Sequence, residues 1–299
     1  MLVVSALVFI VQTKALGDSS SYILSEEASS DEIEAYRESK GLDDSILIRY
    51  GRFLLSFFSL DWGTSVSGQD IRNIVSERFP VTIALSFFSL ILALLISIPW
   101  VISSVNRKGG FADKSLSFFS LVLLSLPSFL IALILSLVFG LYLEWFPVAG
   151  YIAPGYSLSG FFRTLFLPSL TLALLHLSLF MRMFREGILD NLDKPYTLSL
   201  KAQGASHLDL ILHSALKPAL PMMLSLVFQS LATSFSGAAI VESVFALPGL
   251  GALLVKSALS RDVELAGTIL MVVAFMVSIA FLLSEALSRL VDPRTRRAK

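Results

Sequence analysis

Residues 80–105 read PVTIALSFFSLILALLISIPWVISSV, without one Asp, Glu, Lys, Arg or His. A helix needs roughly 20 residues to cross the ~30 Å hydrocarbon core of a bilayer, and this run is long enough. Two further runs, Ser115 to Leu143 and Leu265 to Leu283, are equally free of charge. Leu167 to Met181 and Pro218 to Val241 are of the same kind, the former carrying only His176. The chain of 299 residues is 55% hydrophobic and 15% charged, with a mean hydropathy of +0.77, well outside the composition of a water-soluble domain. In lipid every backbone polar group must be bonded within the protein, so only helices and closed barrels can span. The short alternating segments of a barrel are missing from the sequence. The expected fold is therefore all-α, an integral membrane bundle of about six transmembrane helices.

Formal net charge is zero, which conceals a segregation along the chain. Basic residues gather between the spans at Arg107, Lys108 and Lys114, again at Arg182, Arg185, Lys194, Lys201 and Lys217, and in the tail at Arg289, Arg294, Arg296, Arg297 and Lys299. The loops Glu144 to Phe166 and Glu242 to Glu264 hold only Arg163, Lys256 and Arg261. Lys and Arg accumulate on the cytoplasmic side of membrane proteins, which places the first three segments inside and the two loops outside. The expected organisation is a first transmembrane helix over residues 1–15, an acid-rich extracytoplasmic segment over 16–79, a transmembrane core over 80–291 and a cytoplasmic tail over 292–299. The run Met1 to Val11 is too short to span as it stands and has no basic residue before it, so an N-terminally truncated first helix is expected. The hexapeptide LSFFSL begins at Leu55, Leu85 and Leu116, but the flanks do not match, and a chain rich in Leu, Ser and Phe produces such coincidences.

The residue inventory narrows the function. With no cysteine, disulfides, thiolate catalysis and Cys-ligated metals are excluded. No G-x-x-x-x-G-K-[ST] phosphate loop exists, so any nucleotide that drives this protein is bound by another chain. A membrane-embedded enzyme would need paired acids, a metal cluster or a nucleophile beside a base. Only three histidines are present, His176, His207 and His213, and no span carries a carboxylate pair. An ion-coupled carrier would show broken spans at matching places in two inverted halves, and no such symmetry is evident.

Within the basic cytoplasmic region 184–217, residues 193–221 read DKPYTLSLKAQGASHLDLILHSALKPALP. Asp193 can cap a helix whose first turn tolerates Pro195, and that helix should run to about Gln203. Gly204 supplies the backbone freedom to end it. Ser206 and Asp209 form a capping-box pattern for a second helix, in which Leu208, Ile211, Leu212 and Ala215 share one face.

This stretch resembles the cytoplasmic coupling loop of ABC importer permeases of the oligopeptide/dipeptide, binding-protein-dependent family, on Tyr196, Lys201, Ala202, Gly204, Ala205 and Leu208, then Ala215-Leu216-Lys217. The departure is Leu198-Ser199-Leu200, where the general importer pattern has Glu-Ala-Ala. A second match is Glu242, then Phe245 through Pro248, Gly249 and Gly251, then Arg261-Asp262, and finally Asp292-Pro293-Arg294. Asp61-Trp62-Gly63-Thr64-Ser65, Arg78-Phe79-Pro80 and Leu126-Pro127-Ser128-Phe129 extend the likeness over nearly the whole chain.

The resemblance implies the type I importer permease fold and a loop whose short helix docks in a groove of an ATPase. It implies as partners a second homologous permease subunit, two cytoplasmic ATPase subunits, an extracytoplasmic solute-binding protein and the surrounding lipid, with no nucleic acid. The implied location is the bacterial cytoplasmic membrane. No cofactor is expected on this chain, ATP-Mg being held by the partners. Peptides are the implied cargo, with nickel chelates, glutathione or sugars as alternatives within the family. Pro127, His176, Glu242, Pro248, Gly249 and Gly251 are the candidates for the gate or pathway. A proline inside a span should kink it, with Ser125 and Ser128 able to satisfy freed carbonyls. A buried histidine is a functional suspect, although bonding to a neighbouring helix is the commoner explanation. Glu285 should pair with Arg289 one turn on.

Overall fold

A computed structural model describes residues 5–10 and 44–291, the side chain of residue 291 excepted. Among the described residues the regular structure is helical, with one isolated bridge between Thr64 and Asp70. Residues 5–10 are helical. Further along the chain come α1 (Ile46–Ser59), α2 (Ile71–Asn106), α3 (Phe111–Ser125), α4 (Ser128–Leu135), α5 (Leu158–Leu192), α6 (Pro195–Ala202), α7 (His207–Asp209), α8 (Leu216–Val244), α9 (Leu250–Leu259) and α10 (Val263–Val291). Among the described residues four helical stretches are long and apolar enough to cross a membrane: Ile71–Asn106, Leu158–Leu192, His207–Val244 and Val263–Leu290. Phe111–Ser125 with Ser128–Tyr142 makes a fifth if the bent pair counts as one span. Most of the expected first span, residues 1–15, and the whole tail 292–299 lie outside the described residues.

The buried side of α2 mixes hydroxyls with apolar residues: Thr82, Ser86, Ser89, Ser97 and Ser104 are at 0% exposure alongside Leu85 and Ala93, while Phe87, Ile91 and Leu95 face outward. Spans have no hydrophobic drive to associate in lipid, so close packing of small residues and hydroxyl bonding hold them together. Within α2 itself Ser89 donates to the Ser86 carbonyl at 2.7 Å.

Pro127 does more than kink its span. Leu126 and Pro127 are both extended, at φ −95°, ψ 128° and φ −63°, ψ 146°, so α3 ends and α4 starts afresh at an angle of 108°. The proline ring disfavours the helical conformation of the residue before it, which converts an expected kink into a break. Ser125 turns its hydroxyl to the Leu121 carbonyl at 2.9 Å.

The chain divides into two compact units, Met1–Thr82 with Pro248–Met276, and Ile83–Leu247 with Val277–Lys299. In the first, Asp262 is the organising acid. It caps α10 through Leu265 N–H at 3.1 Å and accepts from Ser65 Oγ at 2.5 Å and Val66 N–H at 3.1 Å, which fastens the Thr64-Ser65 turn. Its neighbour Arg261 adopts φ 55°, a left-handed conformation that closes the end of α9 with Asp262 N–H donating to the Ser257 carbonyl at 2.9 Å. Thr82 Oγ1 accepts from Leu250 N–H at 2.8 Å at the start of α9. Trp62 stacks on Phe57 and donates Nε1–H to its carbonyl at 3.1 Å. Asp262→Ala removes a helix cap and two further acceptances together. It should cost about 2 kcal/mol and raise amide exchange across residues 61–70, as measured by hydrogen–deuterium exchange in detergent; unchanged exchange there would show that the acid does not hold the turn.

In the second unit α5 and α8 pack against each other. A Cβ added at Gly187 would run into Met222 Cε, so glycine leaves room there for a side chain of α8. His176 on α5 lies 2.6 Å through Nε2 from Ser234 Oγ on α8, the inter-helix bond anticipated for a buried histidine. Below it, Phe180 and Phe184 stack at 4.9 Å. Ser225 on α8 bonds Ser288 on α10 at 2.5 Å. Arg289 pairs with Glu285 as expected from their spacing.

Candidate functional site

The segment joining α5 to α8 carries the strongest sequence signal. Asp193, expected to cap α6, instead ends α5, and Lys194 stands at the N-cap of α6 without a side-chain bond. The reason is that α5 continues through Leu192, so the cap position moves one residue on, and Pro195 sits at the first helical position, where its missing N–H is no loss. Residues 184–192, anticipated as the start of the cytoplasmic loop, are thus the end of a span helix.

Helix α6 ends in a Schellman motif. Gly204, at φ +90°, donates its N–H to the Lys201 carbonyl at 3.0 Å, and Ala205 donates to Leu200 at 3.2 Å. Ser206 then accepts from Asp209 N–H at 3.2 Å and donates its hydroxyl to Asp209 Oδ2 at 2.5 Å, the N-cap expected from the sequence. Beyond this cap the chain departs from a simple amphipathic helix. Leu210–Ala215 is π-helical and runs without a break into α8, so the second helix of the loop and the span that follows it are one continuous stretch, His207–Val244. The wider winding rotates the side chains out of the expected register. Leu210, Ile211 and Ala215 are buried, whereas Leu208 and Leu212 are 48% and 39% exposed, so the single apolar face anticipated is split in two.

Tyr196, Leu198 and Leu200 on α6 are also exposed, and together with Leu208 and Leu212 they leave apolar side chains open on a polar loop. Lys201, Ala202 and Lys217 are exposed beside them, and Ala205 and Leu216 are half-buried. Thr197 faces the opposite way, 1% exposed, and donates its hydroxyl to the Asn191 carbonyl at 2.8 Å. One face of α6 is therefore anchored and the other is free.

Near this segment lies an ion pair that the sequence does not disclose. Arg185 on α5 donates from Nε and Nη2 to the two carboxylate oxygens of Asp113 on α3, at 2.6 and 3.0 Å. Asp113 also accepts from Ser104 Oγ at 2.7 Å and Gly109 N–H at 2.8 Å, and is 7% exposed. The bidentate pair fixes the turn between α2 and α3 to the part of α5 nearer its C-terminal end. In the sequence Arg185 counts only as a topology charge; the signal that could have found the pair is an acid in the first turn of a helix after Gly109-Gly110, one charge too many for a mere loop.

Of the candidates for a gate, Pro127 at the N-cap of α4, His176 on α5 and Glu242 on α8 belong to the second unit, and Glu242 is fully buried. Pro248, Gly249 and Gly251 belong to the first unit, where Gly249 is the N-cap of α9. Before them the end of α8 closes with Leu247 N–H on the Glu242 carbonyl at 2.8 Å and Ala246 at φ 51°, a strained conformation for a residue with a Cβ.

Known proteins resemble the chain in both sequence and fold. It is 30% identical over 298 residues to the oligopeptide transport system permease protein AppB of Bacillus subtilis, covering 98% of this chain and 94% of that one. It is 30% identical over 270 residues to the dipeptide transport system permease protein DppB of Lactococcus lactis, covering 89% and 86%. Its fold matches a chain of the MetNI methionine ABC transporter in an inward-facing conformation with a TM-score of 0.60 at 16% identity, over 73% of this chain and 96% of that one. The fold is thus that of a multi-pass membrane component of an ABC transporter. Residues 96–297 match the family described as binding-protein-dependent transport system inner membrane component, and the chain belongs to that family.

Proposed function

We propose that this chain is the permease subunit of a peptide-carrying ABC importer in the bacterial cytoplasmic membrane, paired with a second permease and worked by two cytoplasmic ATPase subunits and an external binding protein. The observation that carries this reading is α6: a short helix, sharply closed by Gly204, anchored to the spans on its Thr197 side and offering Tyr196, Leu198 and Leu200 on the other. Apolar side chains left open on a polar loop fit burial in a partner's groove. The names of the relatives support peptides as cargo. ATP-driven closure of the ATPases displaces α6, and the displacement passes to α5 and α8, the two spans on either side of it, which opens the pathway alternately to each face.

Co-expression of the permease pair with its ATPases, followed by affinity purification on this chain, tests the reading. Both ATPases should copurify and support ATP-dependent peptide uptake into proteoliposomes. A permease that purifies without them, or uptake that runs equally well without ATP, would refute it.

A further inference from the structure

Pro218 has no N–H, so it offers no α-helical donor to the carbonyl of Ser214 four residues earlier. The hydroxyl of Tyr196 lies 3.3 Å from that carbonyl and 3.3 Å from Asn191 Oδ1, one proton serving two acceptors. Asn191 is tied on its other sides as well: its Nδ2 donates to the Gly187 carbonyl at 2.8 Å, and its own carbonyl accepts from Thr197 at 2.8 Å. Gly187 in turn is where α5 leaves room for Met222 and Ala219 of α8. Bonds from α5, α6 and the root of α8 therefore meet in one small polar knot.

The geometry points to Asn191, Tyr196 and Thr197 as a positioning joint that makes α6 move as one body with the ends of α5 and α8. Without it α6 would hang on two loop connections, and a displacement applied to its exposed face would be absorbed by rotation about Asp193 and Gly204. With it the ring of Tyr196 belongs to the free face while its hydroxyl belongs to the frame, so one residue links the surface that is pushed to the helices that must move. The proline is part of the device, since it offers no N–H to the carbonyl that the tyrosine takes. This inference rests on the reading of α6 as the segment that the ATPase grips.

The test is the number of ATP molecules hydrolysed per peptide imported, measured in proteoliposomes holding the full complex. Y196F keeps the ring and removes the hydroxyl; T197V keeps the shape and removes the bond to Asn191. P218A returns an N–H to the Ser214 carbonyl and touches no side chain of α6. Each should raise the ATP cost per peptide, Y196F by about fivefold, the factor expected for one lost hydrogen bond, with ATPase binding unchanged in T197V and P218A, whose side chains lie off the docking face. In the P218A background Y196F should add no more than about twofold, because the restored N–H competes with the hydroxyl for the same carbonyl. A lower yield of folded permease with an unaltered ratio would mean that these bonds only stabilise the loop, and overturns the proposal. If Y196F does not assemble, P218A decides alone, an unaltered ratio again counting against the joint. Failure of the unsubstituted permease to bind its ATPases refutes the proposed function itself and is seen before any variant is made.

Discussion

Gly204→Val should abolish most coupled transport while leaving insertion and folding of the bundle intact. Gly204 sits at φ +90°, and an added Cβ would meet nothing within 4 Å, so the penalty comes from the backbone alone. A residue with a Cβ pays about 1–2 kcal/mol in the left-handed region, and a β-branched one more. The cheapest escape is for the turn to unwind, which breaks the bonds from Gly204 to Lys201 and from Ala205 to Leu200 and frees the last turn of α6. That turn carries Leu200 and Lys201 on the exposed side. The expected result is basal ATP hydrolysis that persists with uptake reduced by about tenfold or more, the factor of ~1.4 kcal/mol. Asparagine, which tolerates the left-handed conformation, should retain more activity than alanine, and alanine more than valine. Equal coupling in all three variants would show that the turn is not under mechanical load.

Asp113→Ala should be the most destabilising single change in the described core. It leaves the guanidinium of Arg185, the hydroxyl of Ser104 and the N–H of Gly109 without their shared acceptor in a place only 7% exposed. Breaking a buried pair by removing one partner costs ~3–5 kcal/mol; with Arg185 24% exposed, the cost here should be about 3 kcal/mol. Thermal unfolding in detergent should move down by several degrees. The double variant Asp113→Ala with Arg185→Leu should recover part of the loss, because the unpaired charge is then gone. If the double variant is less stable than Asp113→Ala, the pair does more than neutralise a charge, and this account of the clasp is wrong.

The fold is legible in the sequence because lipid imposes one rule on every span: a run such as residues 80–105 can be read by the absence of charge alone. Its finer events depend on local backbone chemistry. Pro127 is visible, yet whether a proline bends or breaks a span is decided by the residue before it, and Leu126 takes the extended conformation. Gly204 and Ser206 identify the end of α6 and the start of α7 because capping chemistry is short-range. The π-helical winding over Leu210–Ala215 escapes such a reading, since the 3.6-residue period assigns Leu208 and Leu212 to the face of Ile211 and Ala215. Asp113 and Arg185 stand 72 residues apart in sequence, and no local pattern announces a pair that only helix packing brings together. The same holds for the bond from Asp262 to Ser65, whose Arg261-Asp262 and Thr64-Ser65 motifs are each visible without a link between them.

Because the chain has no cysteine, a single introduced thiol reports the position of one residue without background. Leu200→Cys places that thiol on the exposed side of α6. A membrane-impermeant maleimide should leave it untouched in intact cells, modify it in inverted membrane vesicles, and lose access once the ATPase subunits are bound. Modification from outside the cell would contradict the orientation on which the coupling of α6 to an ATPase depends.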